Sequence, residues 1–167
     1  MKNVIRSIAM LSIAAFALSI PASSAFAAGT PDSTTIPQLF QHVKHHAAQA
    51  SFDVDILETF RRSNVNWETY GQTLNQIRKH VNDLFEDYYQ LKRMRNNGTP
   101  AQQQAIDRLE PLLRDMATSL TNTIQALNAD QRLVNMPGFR ARIRANWVKI
   151  HAVYKLLCQC TSKNLLA

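Results

Sequence analysis

Glycine is scarce in this chain, at four residues in 167. Folds built from strands and tight turns use far more of it, and no stretch alternates apolar with polar residues in strand fashion, so a β-rich architecture is disfavoured. Catalytic signatures are missing as well. There is no Gly-rich phosphate loop, no Gly-x-Ser-x-Gly elbow and no His-Glu-x-x-His pair. Glutamate occurs only at Glu58, Glu68, Glu86 and Glu110. No Glu-x-x-His motif accompanies them, which argues against a di-iron carboxylate site. No reaction is specified, and the chain reads as non-enzymatic. Cysteine is limited to Cys158 and Cys160, followed by Thr161. Covalent haem attachment needs Cys-x-x-Cys-His, so c-type haem is excluded. Met94, Met116 and Met136 are present, but nothing pairs one of them with a histidine for non-covalent haem.

Acidic charge is missing from the C-terminal part. No Asp or Glu follows Asp130, whereas Arg132, Arg140, Arg142, Arg144, Lys149, Lys155 and Lys163 do. The whole chain carries a formal net charge of +7. Such a one-sided distribution favours anionic partners, such as lipid headgroups or envelope polymers, or else a solvated helix face. No nucleic-acid-binding motif accompanies it.

Long apolar runs are also missing, apart from residues 8–20, which are too short to span a bilayer. Lys2 and Arg6 precede that run, Pro21 follows it, and Ala25-Phe26-Ala27 offers a small-x-small cleavage pattern. Residues 1–27 therefore read as a signal peptide cleaved near Ala27, directing the protein to the periplasm or outside the cell. The mature chain of about 140 residues has the size of one domain and no transmembrane segment. Residues 28–35 are small and polar and read as a flexible tail.

Residues 36–163 divide into four helical segments. The first covers residues 37–62, with Leu39, Val43, Ala50, Leu57 and Phe60 on one face. The second covers residues 67–95 with Asn66 as N-cap. Its apolar positions Tyr70, Leu74, Ile77, Val81, Leu84, Tyr88 and Leu91 step alternately by four and three, a heptad seam. Gly98 follows as a terminator suited to positive φ. The third opens with a Thr99-Pro100-Ala101-Gln102 capping box and continues through Ile106, Leu109, Leu113, Met116, Leu120, Ile124 and Leu127. Pro111 should bend it. The fourth covers residues 137–162, with Phe139, Ile143, Trp147, Ile150, Tyr154 and Leu157 inward. Four amphipathic segments with short connections imply an all-α, antiparallel up-down four-helix bundle.

Three constellations could carry chemistry. His42 and His46 lie one turn apart, and Asp53 lies two turns beyond His46, so the three could present two imidazoles and a carboxylate to a divalent metal. Asp53 sits about 10 Å further along the axis, so a second helix would have to contribute, with His80 and His151 as the histidines outside the His42, His45 and His46 cluster. Alternatively, these are ordinary boundary side chains. Cys158 and Cys160 point to different sides of a helix and cannot form a relaxed disulfide there. A strained local disulfide, a dimer link, a Cu(I) site or two reduced thiols all remain open. Finally, Arg140, Arg144, His151 and Lys155 fall within about 60° of one another and form a basic stripe beside the apolar face.

Trp67, Leu74-Asn75, His80-Val81-Asn82, residues 102–108, Pro111-Leu112-Leu113 and Met116-Ala117 resemble a group of small exported helical-bundle proteins of environmental bacteria that carry no assigned function. The resemblance covers about half of the mature chain; it implies export and a helical bundle and transfers no site residue. Leu127-Asn128-Ala129-Asp130-Gln131 is similar to the Leu-Thr-x-x-Gln element of periplasmic stress chaperones of the Spy and CpxP type, with Asn in place of Thr. A capping pair accounts for it equally well. The leading expectation is a non-enzymatic exported binding protein with an envelope-associated or stress-related role, its basic fourth helix contacting an anionic surface or a protein client. The alternative is a metal- or redox-responsive protein using His42, His46 and the Cys158/Cys160 pair.

Overall fold

Four sequence-local start signals set the helices in a computed structural model, which describes residues 35–63 and 65–162. The expected signal peptide and residues 28–34 of the expected tail lie outside the described residues. Thr35, the last residue assigned to that tail, instead caps the first helix, α1 (Ile36–Phe60), in a reciprocal capping box with Gln38. Asn66 accepts from the Thr69 amide at 3.0 Å and opens α2 (Trp67–Met94). Thr99 and Gln102 form a second capping box at the start of α3 (Pro100–Ala129). Pro137 begins α4 (Pro137–Ser162), as suits a residue with no N–H to satisfy. Among the described residues there is no strand, and no helix is long and apolar enough to cross a membrane.

Helix ends depart from the sequence reading in two places. α1 stops at Phe60 rather than running to Arg62, because Arg61, Arg62 and Ser63 donate to carbonyls three residues back in a tightened turn. Gly98 has φ −85°, so a positive φ is not what requires glycine there. A Cβ at this position would lie 3.2 Å from both the Arg95 carbonyl oxygen and the Gln102 Cβ. A side chain in the short connection back into α3 would thus have to push these neighbours aside by a few tenths of an ångström. Pro111 lies inside α3, which continues through it.

α1 and α3 each pack against both α2 and α4. The α2 seam is buried at all seven expected positions, Tyr70 to Leu91. In α3 and α4 the buried line follows strict heptad spacing more closely than the apolar residues do. Thr123 is buried where Ile124 was expected, and Ile124 only partly covers the core. Asn146 is fully buried where Trp147 was expected, and Val153 replaces Tyr154. The two polar intruders face each other: Asn146 Nδ2 donates to Thr123 Oγ1 at 2.8 Å, and Thr123 Oγ1 donates to the Ser119 carbonyl at 2.9 Å. The hydrogen bond fixes one pairing register between α3 and α4, as a buried polar residue does in coiled coils. Thr123→Val should strand the buried Asn146 amide and cost roughly 1–3 kcal/mol, read from the denaturant midpoint.

Charged side chains tie α2 to α3 outside the seam. Glu110 accepts from Lys92 at 2.8 Å, from Tyr88 Oη at 3.2 Å and from Arg114 at 2.8 Å. The donors hold the Glu110 carboxyl down at about 2, below its ordinary 4.5. Burial and the neighbouring carboxylate push the Tyr88 phenol up. A depressed carboxyl contributes stability that is complete above the unfolded value and lost as the folded group protonates. Stability should therefore fall between pH 4.5 and about 2, and Glu110→Gln should flatten that part of the profile. A stability–pH series of the two proteins checks this.

Candidate functional site

The pairing of α1 with α2 assembles a cluster that neither helix holds alone. α1 presents His46 and, two turns later, Asp53; α2 presents His80, Asp83 and Asp87. Each histidine meets the other helix's aspartate. His46 Nε2 lies 3.6 Å from Asp87 Oδ2, and His80 Nε2 lies 3.4 Å from Asp53 Oδ2. Asp83 sits between them, its Oδ2 at 3.9 Å from His46 Nδ1. One ligand atom each from His46, His80 and Asp83 falls within 4.8 Å of the others. Edges of a tetrahedral zinc site measure about 3.4 Å, so closure by up to about 1.4 Å through side-chain rotation would make a coordination sphere.

Burial sharpens the chemistry. The solvent-inaccessible Nδ1 atoms of His46 and His80, and Oδ2 of Asp53, have no hydrogen-bond partner among the described residues. Unsatisfied buried groups of this kind are costly, so they mark a place where a ligand would be welcome. Burial raises the Asp53 carboxyl above its ordinary range, opposed in smaller part by the charge of His80. A cleft of ≈ 440 Å³ lined by His45, Gln49, Phe52, Asp53, Gln76 and His80 borders the His80–Asp53 side of the cluster. Phe52 stands 65% exposed at its edge.

The trio expected from sequence is thus divided. His46 and Asp53 join the cluster. His42 is exposed and takes no part in the three-ligand group. α2 places Asp83 and Asp87 beside His46, two carboxylates that the sequence reading did not single out. One signal for them was present, since His46-x6-Asp53 in α1 recurs as His80-x6-Asp87 in α2.

The other two constellations remain apart from this group. Cys158 is half-buried and Cys160 buried, and no disulfide joins them. Cys158 hydrogen-bonds with the Tyr154 hydroxyl and pushes that phenol up. Of the basic stripe, two members face α1. Arg144 stacks 4.1 Å above the Trp147 ring and lies 3.7 Å from Glu58. His151 stacks on the same indole, its ring centroid 4.2 Å from that of Trp147, and its Nε2 is 3.2 Å from Ser51 Oγ. The Trp147 indole donates to Asp55 at 2.6 Å. Arg140 and Lys155 are exposed. The middle of the stripe is therefore engaged in the α1–α4 contact, and its two ends face solvent.

No protein-family model, curated protein or solved structure matches this chain.

Proposed function

We propose that this is an exported, non-enzymatic binding protein that takes up one divalent transition-metal ion between α1 and α2. The single observation behind this reading is the convergence of His46, His80 and Asp83 within 4.8 Å. The buried Nδ1 atoms of the two histidines supply the nitrogen ligands and Asp83 an oxygen. Asp87 and Asp53 face the opposite ring nitrogens and orient the imidazoles, as carboxylates commonly do for metal-bound histidine. Two imidazoles and one carboxylate suit zinc and similar borderline ions better than calcium or magnesium. A fourth position stays open to water or an exogenous group.

Export rests on the leader-like residues 1–27. An antiparallel up-down arrangement is supported by pairs such as His46 with Asp87 and Asp53 with His80 between α1 and α2. Lys92 of α2 with Glu110 of α3, and Arg95 just past α2 with Asp107, run in the same opposed sense. Titration of metal-stripped protein with zinc by calorimetry tests the proposal. One equivalent bound, with release of bound zinc as pH falls and the histidines protonate, is expected. No heat beyond dilution would refute it.

A second reading has its own support in the exposed Arg140 and Lys155 and the absence of acidic residues after Asp130. The C-terminal helix would then hold the protein at an anionic envelope surface or an acidic protein client. Such binding should weaken steeply between about 50 and 500 mM salt, as surface charge is screened. A cosedimentation series with anionic vesicles measures it, and a salt-independent result would remove this reading.

A further inference from the structure

A second polar site lies where the α1–α2 turn meets the approach to α4. Arg61, Arg62 and Ser63 from the turn, Tyr70 from α2, and Asn135 and Arg140 from around the start of α4 line one cleft of ≈ 360 Å³. Three guanidinium groups sharing a cleft repel one another unless an anion neutralises them. Glu58 is the nearby carboxylate, and it is shared: it bonds Arg61 and lies 3.7 Å from Arg144. The first turn of α4 carries no acidic residue. Arg61 Nε and Glu58 Oε2 are both inaccessible to solvent and without a hydrogen-bond partner among the described residues, beside the bond that Arg61 Nη1 makes to the same carboxylate. Glu58 thus offsets Arg61, whereas no ion pair among the described residues neutralises Arg62 or Arg140. The Tyr70 ring is buried and lines the same cleft as Arg61 and Arg140; burial pushes its phenol up, with the charges of Arg140 and Arg61 opposing and that of Glu58 adding.

We infer that this cleft binds a phosphate group, with Arg62 and Arg140 as the exposed clamps and Arg61 and Tyr70 as the inner wall. Planar guanidinium donors match the paired oxygens of a phosphate, and two or more of them around one anion give geometric selectivity over chloride. The cleft's size admits phosphate together with a substituent. The same chemistry could be presented by free phosphate or by the monoester headgroup of phosphatidic acid at a membrane surface. This site stands independently of the α1–α2 metal cluster and shares no residue with it.

The test uses the full chain with two probes, inorganic phosphate and vesicles of phosphatidic acid in phosphatidylcholine, each against Arg62→Gln, Arg140→Gln and the distant Arg93→Gln. Saturable binding of inorganic phosphate, followed by NMR shifts, should weaken about ten-fold or more in Arg62→Gln and in Arg140→Gln and stay unchanged in Arg93→Gln. Vesicle binding that follows the same variant pattern without any response to inorganic phosphate assigns the lipid headgroup as the source and also supports the site. All three positions are exposed, so circular dichroism should report unchanged folding. Absence of binding to both probes, or equal weakening by all three substitutions, would overturn the inference.

Discussion

His80→Ala is expected to lower zinc affinity by at least about 100-fold while leaving the helical circular-dichroism spectrum intact. Loss of a group that merely orients a metal ligand costs about 10–100-fold, and loss of the ligand itself should cost no less. His46→Ala should match it, because each imidazole supplies one of only two nitrogens. Asp53→Asn should fall in the lower band, since Asp53 Oδ2 faces His80 Nε2 at 3.4 Å rather than belonging to the three-ligand group. His42→Ala should leave zinc affinity unchanged. That last contrast separates the α1–α2 cluster from the sequence-derived set in which His42 and His46 were the paired imidazoles. Competition against a chromophoric chelator measures all four variants.

Leu84→Ala should destabilise the fold by about 2–5 kcal/mol. Leu84 lies midway along the α2 seam with no exposed surface, so truncation removes buried methyl groups and leaves a cavity that rigid helices on either side fill poorly. A domain with a total stability of about 5–15 kcal/mol loses a large fraction of it. The exposed neighbour Glu86 provides the control: Glu86→Ala should stay within about 0.5 kcal/mol. Urea unfolding of the two variants measures the difference. A loss under about 1 kcal/mol for Leu84→Ala would mean that the seam does not form the core.

The α2 seam was legible because its seven positions are all large and apolar, so hydrophobicity and heptad spacing agree. The α3 and α4 seams were legible only where that agreement holds. Strict alternation of three and four leads to Thr123 and Asn146, whereas apolar character leads to Ile124 and Trp147. The structure follows the spacing, and the Asn146 amide finds an acceptor in Thr123 Oγ1 across the helix pair. Cross-helix complementarity of this kind is invisible when each helix is read by itself. The candidate site shows the same limit. His46 and Asp53 stood out as a two-turn pair on α1, but the identity of their partners depended on how α2 is placed against them. His80, Asp83 and Asp87 reach His46 and Asp53 only through that packing. The basic stripe was likewise read as one surface, and the acidic edge of α1, Asp55 and Glu58, claims its middle.

X-ray absorption at the zinc edge of the metal-loaded full-length protein tests the central claim most directly. The account predicts two imidazole nitrogens and additional oxygen at about 2.0–2.1 Å, with the imidazole scattering reduced by half in His80→Ala. A sulfur shell at about 2.3 Å would place the metal on Cys158 and Cys160 instead, and an all-oxygen shell without imidazole would contradict any site between α1 and α2.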